Sequence, residues 1–161
     1  MVYSEFVAAD ALVRSVNKTF QKLKVSDDER PVAIQTYGRF PDAVEDAAEI
    51  IVETAHPDIL DLNFGCPVKR VAGKGAGAGM LQTPDLMLDI IRRVVHRVGD
   101  RVPVTVKTRL GWDVPGLHLD TTAEGKRIPF IVYLPARIHD SGAEALTIHG
   151  RQPTQKYTET A

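Results

Sequence analysis

Along this chain short apolar runs alternate with longer stretches of helical period, the pattern of βαβ units that build a parallel sheet. The first run, Val2 to Val7, predicts a strand, and Ala9 to Lys24 the helix after it. Pro31 to Thr36 is a second compact run and a second strand. Pro41 and Asp42 suit the first turn of a helix reaching Ala55, because that turn leaves its amides unbonded and its positive end favours a carboxylate. Ala47, Ile50, Ile51 and Ala55 form its apolar stripe. Ile59 to Phe64, Val102 to Lys107 and Ala145 to His149 predict three further strands. The best helical pattern is Pro84 to Val98, with Thr83 as N-cap, Pro84 in the first helical position and Gly99 at the C-terminus. Leu86, Ile90, Ile91, Val94, Val95 and Val98 supply its apolar face.

The segment from Asp113 to Pro135 breaks this rhythm. Val114-Pro115-Gly116 and Ala123 to Lys126 read as loop, and Ile128 to Leu134 as strand or helix. Pro129 and Pro135 should interrupt any long helix there, leaving a short one from Ala136 to Ser141, ended by Gly142. Five strands separated by helices suit either an open doubly wound sheet or part of an eight-stranded barrel. The polar residues favour the barrel. Gln35, Asn63, Lys107, Arg109, His149 and Arg151 all stand where strands end, and in a β/α barrel those ends converge on one rim. The expected fold class is therefore α/β, a partial TIM-type (β/α) barrel of about five of the eight parallel strands.

Composition adds limits rather than a function. The chain has 161 residues, 43% of them hydrophobic and 25% charged, ordinary for one globular domain. No apolar run reaches the ~18 residues of a membrane span, and the first residues lack the basic and apolar regions of a secretory signal. With one cysteine and no His/Cys cluster, neither a disulfide framework nor a metal site is expected, and a cytoplasmic, reducing location is. The formal net charge of −1 excludes nucleic-acid binding by bulk charge, so any RNA contact must rest on local groups.

The lone Cys66 follows a strand directly, between Gly65 and Pro67. A free cysteine is usually a small buried filler, but these neighbours hold the thiol at a loop tip, where it can donate a proton or attack. Lys107 closes a strand, with Arg109 two residues on; they are either a solvated strand end or a pair of inward cationic donors. His149 at its own strand end either satisfies a local hydrogen bond or faces a ligand. Gln35, a neutral amide, is suited to reading the polar edge of a ring. The glycine-rich run from Gly73 to Gly79 lacks the Gly-Lys-Ser/Thr ending of a phosphate loop and is expected to be a mobile or tightly turning substrate loop. Lys69, Arg70 and Lys74 make it locally basic, which suits a phosphodiester neighbour or mere solvation. Trp112 either stacks a base or covers the rim.

Asp61 to Pro67, Gly79-Met80-Leu81, Val106 to Trp112 and Leu146 to Arg151 together resemble the tRNA-dihydrouridine synthases, in order along the chain except for Asp113 to Pro135. The resemblance implies an FMN-containing barrel, reduced by NADPH, that delivers hydride to C6 of a uracil ring in tRNA. Cys66 would then be the general acid that protonates C5, and Asn63 would help hold the uridine. Gln35, Lys107 and His149 match positions that contact FMN, while Arg109 and Arg151 match positions near substrate or flavin phosphate. The target base would be flipped out of the RNA to reach the rim.

The resemblance also implies that the family's first strand, its last two strands and a C-terminal helical RNA-binding domain lie outside residues 1–161. The chain is thus expected to be an incomplete catalytic domain, poorly active alone. Two other readings stay open: an inactive or partner-dependent fragment, and a related flavin barrel acting on a small molecule.

Overall fold

The computed structural model describes residues 1–112, 119–121 and 127–155. The first apolar run forms two short strands, β1 (Val2–Tyr3) and β2 (Val7–Ala8), each parallel to the strand that follows. Between them Ser4 leaves the ladder but stays tied to it, its Oγ accepting from the Gln35 amide at 3.1 Å. The helix expected from Ala9 to Lys24 is also divided, into α1 (Ala9–Val13) and α2 (Asn17–Gln21). Ser15 between them has φ 56°, a left-handed angle that no right-handed helix can continue through.

The remaining elements alternate as predicted. They are β3 (Val32–Tyr37), α3 (Pro41–Ala55), β4 (Ile59–Asn63), a short α4 (Lys69–Ala72), α5 (Pro84–Val98) and β5 (Val104–Arg109). Thr83 does precede α5, but its hydroxyl lies 3.7 Å from the Met80 sulfur and caps no helix amide. The largest departure follows β5. Two short strands, β6 (Leu119–Thr121) and β7 (Arg127–Pro129), pair antiparallel, and helix α6 runs from Phe130 to Asp140 with Pro135 inside it. Pro129 precedes this helix rather than interrupting it. Pro135 removes one ladder bond, yet Phe130, Leu134 and Ile138 line up four residues apart and are all buried, so packing outweighs propensity. The expected loops at Val114-Pro115-Gly116 and Ala123 to Lys126 fall outside the described residues.

The last strand, β8 (Ala145–His149), completes a parallel sheet in which β1 and β2 share one edge, followed by β3, β4, β5 and β8. This is a parallel half-barrel of five strand positions, part of a TIM-type barrel. Register places the site. Gln35 pairs with Asp61 and Asp61 with Thr105; Asn63 pairs with Lys107 and Lys107 with Thr147; Arg109 pairs with His149. Successive strand residues alternate faces, so these polar side chains share the concave face. Ile34, Leu60, Leu62, Val104 and Val106 point the other way and are buried in the main core.

Helices cover that outer face, α1 against α3, α3 against α5 and α5 against α6. Val44, Ala47 and Ile51 of α3 and Ile90, Ile91 and Val94 of α5 are buried in the core, while Ile50 of the expected stripe is only half-buried. Above this seam Arg93 pairs with Asp42 and Glu45, Arg97 with Glu49, and Arg101 with Glu49. Exposed pairs stabilise little singly, so this network chiefly fixes how the two helices align.

Candidate active site

Asn63 ends β4, and its side chain makes the turn after it. Its Oδ1 accepts from the amides of Gly65 at 3.0 Å and Cys66 at 2.9 Å. A buried backbone amide must find a partner. Asn63 supplies one acceptor for two of them, which fixes the path of the loop and holds Cys66 between elements. From the other side the Cys66 carbonyl accepts from the Ala78 amide at 3.0 Å.

Asn63 is itself held from below. Its Nδ2 donates to Gln35 Oε1 at 2.7 Å, and Gln35 Nε2 donates to Asp61 Oδ2 at 2.6 Å. Thr105 donates its hydroxyl to Asp61 Oδ1 at 2.5 Å. Asp61 is 1% exposed. Burial pushes its carboxyl up from the usual range, opposed by the hydrogen bonds from Thr105 and Gln35 and by the charge of Lys107. Because a carboxylate only accepts, Asp61 forces Gln35 to present its oxygen to Asn63, and Asn63 its oxygen to the loop. One buried acid therefore sets the orientation of two amides and, through them, of the Cys66 loop.

Arg109 ties the same loop to the neighbouring strand. Its Nε donates to the Gly65 carbonyl at 2.7 Å, with longer contacts from Nη1 to the carbonyls of Arg151 and Gln152 at 3.5 and 3.4 Å. Gln35, Asn63, Cys66, Lys107, Arg109 and His149 all line one cavity of about 630 Å³, bordered by Tyr3, Phe6 and Thr147. Of the seven residues that the resemblance matched to catalysis, cofactor or substrate, Arg151 is the one not on this lining; its carbonyl faces Arg109. His149 is held below the usual histidine range by withdrawal from water first, then by Arg109, Lys107 and Arg151, so its ring is neutral near pH 7. Burial and then the Asp61 charge push the Tyr3 phenol up. The cavity thus offers cations, a neutral imidazole, a fixed amide and a thiol within one volume of small-molecule size.

The sequence model of the family described as dihydrouridine synthase matches residues 1–161. The chain belongs to the dihydrouridine synthase family. Among its relatives is a "Probable tRNA-dihydrouridine synthase" of Treponema pallidum, 33% identical over 99% of this chain and 44% of the relative. A "Probable tRNA-dihydrouridine synthase 1" of Synechocystis is 35% identical over 100% of this chain and 41% of its own. The "tRNA-dihydrouridine synthase B" of Vibrio parahaemolyticus is 32% identical over 98% and 44%. The chain spans less than half the length of these curated relatives.

In this dihydrouridine synthase relative, two features carried no clear signal in the sequence. Asp61 stands inside an apolar strand, and only its two-residue spacing from Asn63 hints that it faces the cavity. Tyr3 and Phe6 border the cavity from the edge of the sheet. Trp112, read from the sequence as stacking a base or covering the rim, is half-buried against the main core.

The glycine-rich run turns at residues 73–75 and enters a 3-10 helix, Gly77–Gln82, with the chain buried from Ala76 to Leu81. Gly77 has φ 53°, and a Cβ there would stand 2.9 Å from the Cys66 carbonyl. At Gly79 a Cβ would meet the Ala72 carbonyl at 2.3 Å, a backbone atom that cannot swing aside. Gly79→Ala is therefore expected to destabilise the full-length protein by about 1–3 kcal/mol, seen as a lower urea midpoint at unchanged slope. A wild-type midpoint would show that this turn yields.

Proposed function

We propose that the protein carrying this chain reduces uridine to 5,6-dihydrouridine in tRNA in the cytoplasm, with FMN as its cofactor, NADPH as reductant and Cys66 as proton donor. The observation that carries this reading is the Asn63-held loop, which puts a lone thiol on the wall of the same cavity as Lys107, Arg109 and His149. The donor set fits a flavin. The cavity's volume is that of a small-molecule site, Tyr3 and Phe6 give it apolar borders, and Gln35, Lys107 and His149 offer polar groups for the edge of a ring. When bound, FMN would supply the hydride for C6 of the uracil ring.

The chain's own residues would do the rest. Lys107 would lend positive charge to a ring bound in the cavity, and neutral His149 would offer it one donor and one acceptor. Cys66 gives its Sγ proton to C5 as charge develops there, and the resulting thiolate is reprotonated from solvent. Asn63 keeps the thiol in place, and its second amide N–H is left for the substrate. Arg109, already clasping the loop, and Arg151 would meet a phosphate of cofactor or substrate. We read the chain as part of a catalytic barrel, with the family's other strands and its helical RNA-binding domain elsewhere in the parent protein. An isolated five-strand piece, with β1 and β8 as open edges, is then poorly active.

Mapping modified bases in tRNA from a strain lacking the gene tests the reading. At least one dihydrouridine should be missing and should return when the gene is restored. An unchanged dihydrouridine pattern would favour a flavin barrel acting on a small molecule.

A further inference from the structure

A second cavity, of about 420 Å³, lies beside the first and has a different character. Its lining includes Asp10, Tyr37, Arg39, Phe40, Arg70 and Lys74, three cations against one carboxylate. The cations come from two separate segments. Arg39 follows β3, whereas Arg70 lies in α4 and Lys74 just after it. Arg39 Nη1 reaches the Lys74 carbonyl at 3.4 Å, which brings the two segments together.

Among the described residues none of these three cations has an ion-pair partner, unlike Arg93 and Arg97 on α5 and Arg101 just after it. Three like charges gathered on one cleft repel one another, so they add nothing to the fold that a neutral surface would not. They do fit an anion. At the rim Phe40 is 58% exposed, with the Arg39 guanidinium 6.0 Å from its ring centroid, so an apolar face stands next to the charge.

The wall between the two cavities is thin. Phe6 borders the first and Tyr37 the second, and their rings meet edge to face with centroids 5.3 Å apart. Both pack on the small cluster of Cys66, Val71 and Ala76. A polymer with one base in the first cavity would carry its backbone across this wall into the basic cleft.

We propose that the Arg39, Arg70 and Lys74 cleft holds backbone phosphates of the RNA strand flanking the base that enters the active-site cavity. This rests on the tRNA reading above and adds a location to it. The cleft reads charge and not sequence, because simple cations against phosphate carry no base information. A phosphate of the dinucleotide reductant has the same chemistry, and the test separates the two.

In the full-length, FMN-loaded protein, Arg39→Gln, Arg70→Gln and Lys74→Gln are combined, and tRNA affinity is measured across a salt series. The expected result is about tenfold or more weaker binding and a log affinity–log salt slope shallower by about 2–3, close to one per lost phosphate contact. Flavin reduction by NADPH should keep its wild-type rate. The charge-keeping set Arg39→Lys, Arg70→Lys and Lys74→Arg should keep the slope, which separates lost charge from a damaged fold. Wild-type affinity and slope in the neutral variant would overturn the proposal while leaving the tRNA reading intact. Slower flavin reduction with tRNA binding unchanged would also overturn it and give the cleft to the reductant. If the wild-type protein binds no tRNA, both readings fall.

Discussion

Cys66→Ala in the full-length protein should lower uridine reduction by about 10²–10⁴-fold, the usual contribution of a positioned proton donor. Flavin content should not change. The loop's path is fixed by groups that the substitution spares: Asn63 Oδ1 on the amides of residues 65 and 66, Arg109 on the Gly65 carbonyl, and Ala78 on the Cys66 carbonyl. Only the sulfur is lost, at a residue 9% exposed on the cavity wall. Anaerobic mixing of the reduced protein with unmodified tRNA provides the measurement, read as flavin reoxidation in a single turnover. Reoxidation at the wild-type rate would remove Cys66 from the chemistry.

Asp61→Leu should damage the same step without touching the substrate. The leucine leaves Gln35 Nε2 and the Thr105 hydroxyl without their acceptor in a buried place, at about 1–3 kcal/mol for each group. Gln35 is then free to flip, Asn63 loses its orienting partner, and the Cys66 loop loses its anchor. A displacement of the thiol by about 1 Å is enough to lower turnover some hundredfold. Asp61→Asn separates orientation from charge. Its oxygen can still accept from Gln35, while its NH₂ donates to a rotated Thr105 hydroxyl. It should therefore recover most of the activity.

The asparagine variant also carries a pH signature. The folded Asp61 carboxyl titrates above its ordinary value of 3.8, so the native state holds this proton more tightly than the unfolded chain. Its contribution to stability is present below that value and is lost as pH rises through the raised folded one. Urea midpoints across that window should fall less steeply in Asp61→Asn than in wild type. Equal pH dependence would show that Asp61 is not withdrawn from water as its burial implies.

The period of the apolar residues carried most of the fold. The helix Pro84–Val98 and the strand Ala145–His149 lie where the pattern put them, because each has one apolar face and clear end signals. The pattern failed where a single backbone angle decides, as at Ser15, and where tertiary burial overrides a breaker, as at Pro135. The strand-end residues of the site were legible because a parallel sheet brings them to one rim. Asp61 was not, since an acid buried inside a strand makes sense only once Gln35 and Thr105 are seen beside it. The basic loop was legible as charge alone; its partner Arg39 lies 31–35 residues earlier, and only the fold joins them.

In the main sheet each strand pairs with the one made just before it, β3 with β4, β4 with β5, and β5 with β8. The sheet can therefore grow in step with synthesis, each new βα unit docking on a surface that has already left the ribosome. The site assembles late in that sequence. Cys66 and its anchor are in place after β4, but Lys107 arrives with β5 and His149 only with β8. A chain stalled before β8 would hold a positioned thiol and no complete pocket around it, so the reactive group is built well ahead of the means to use it.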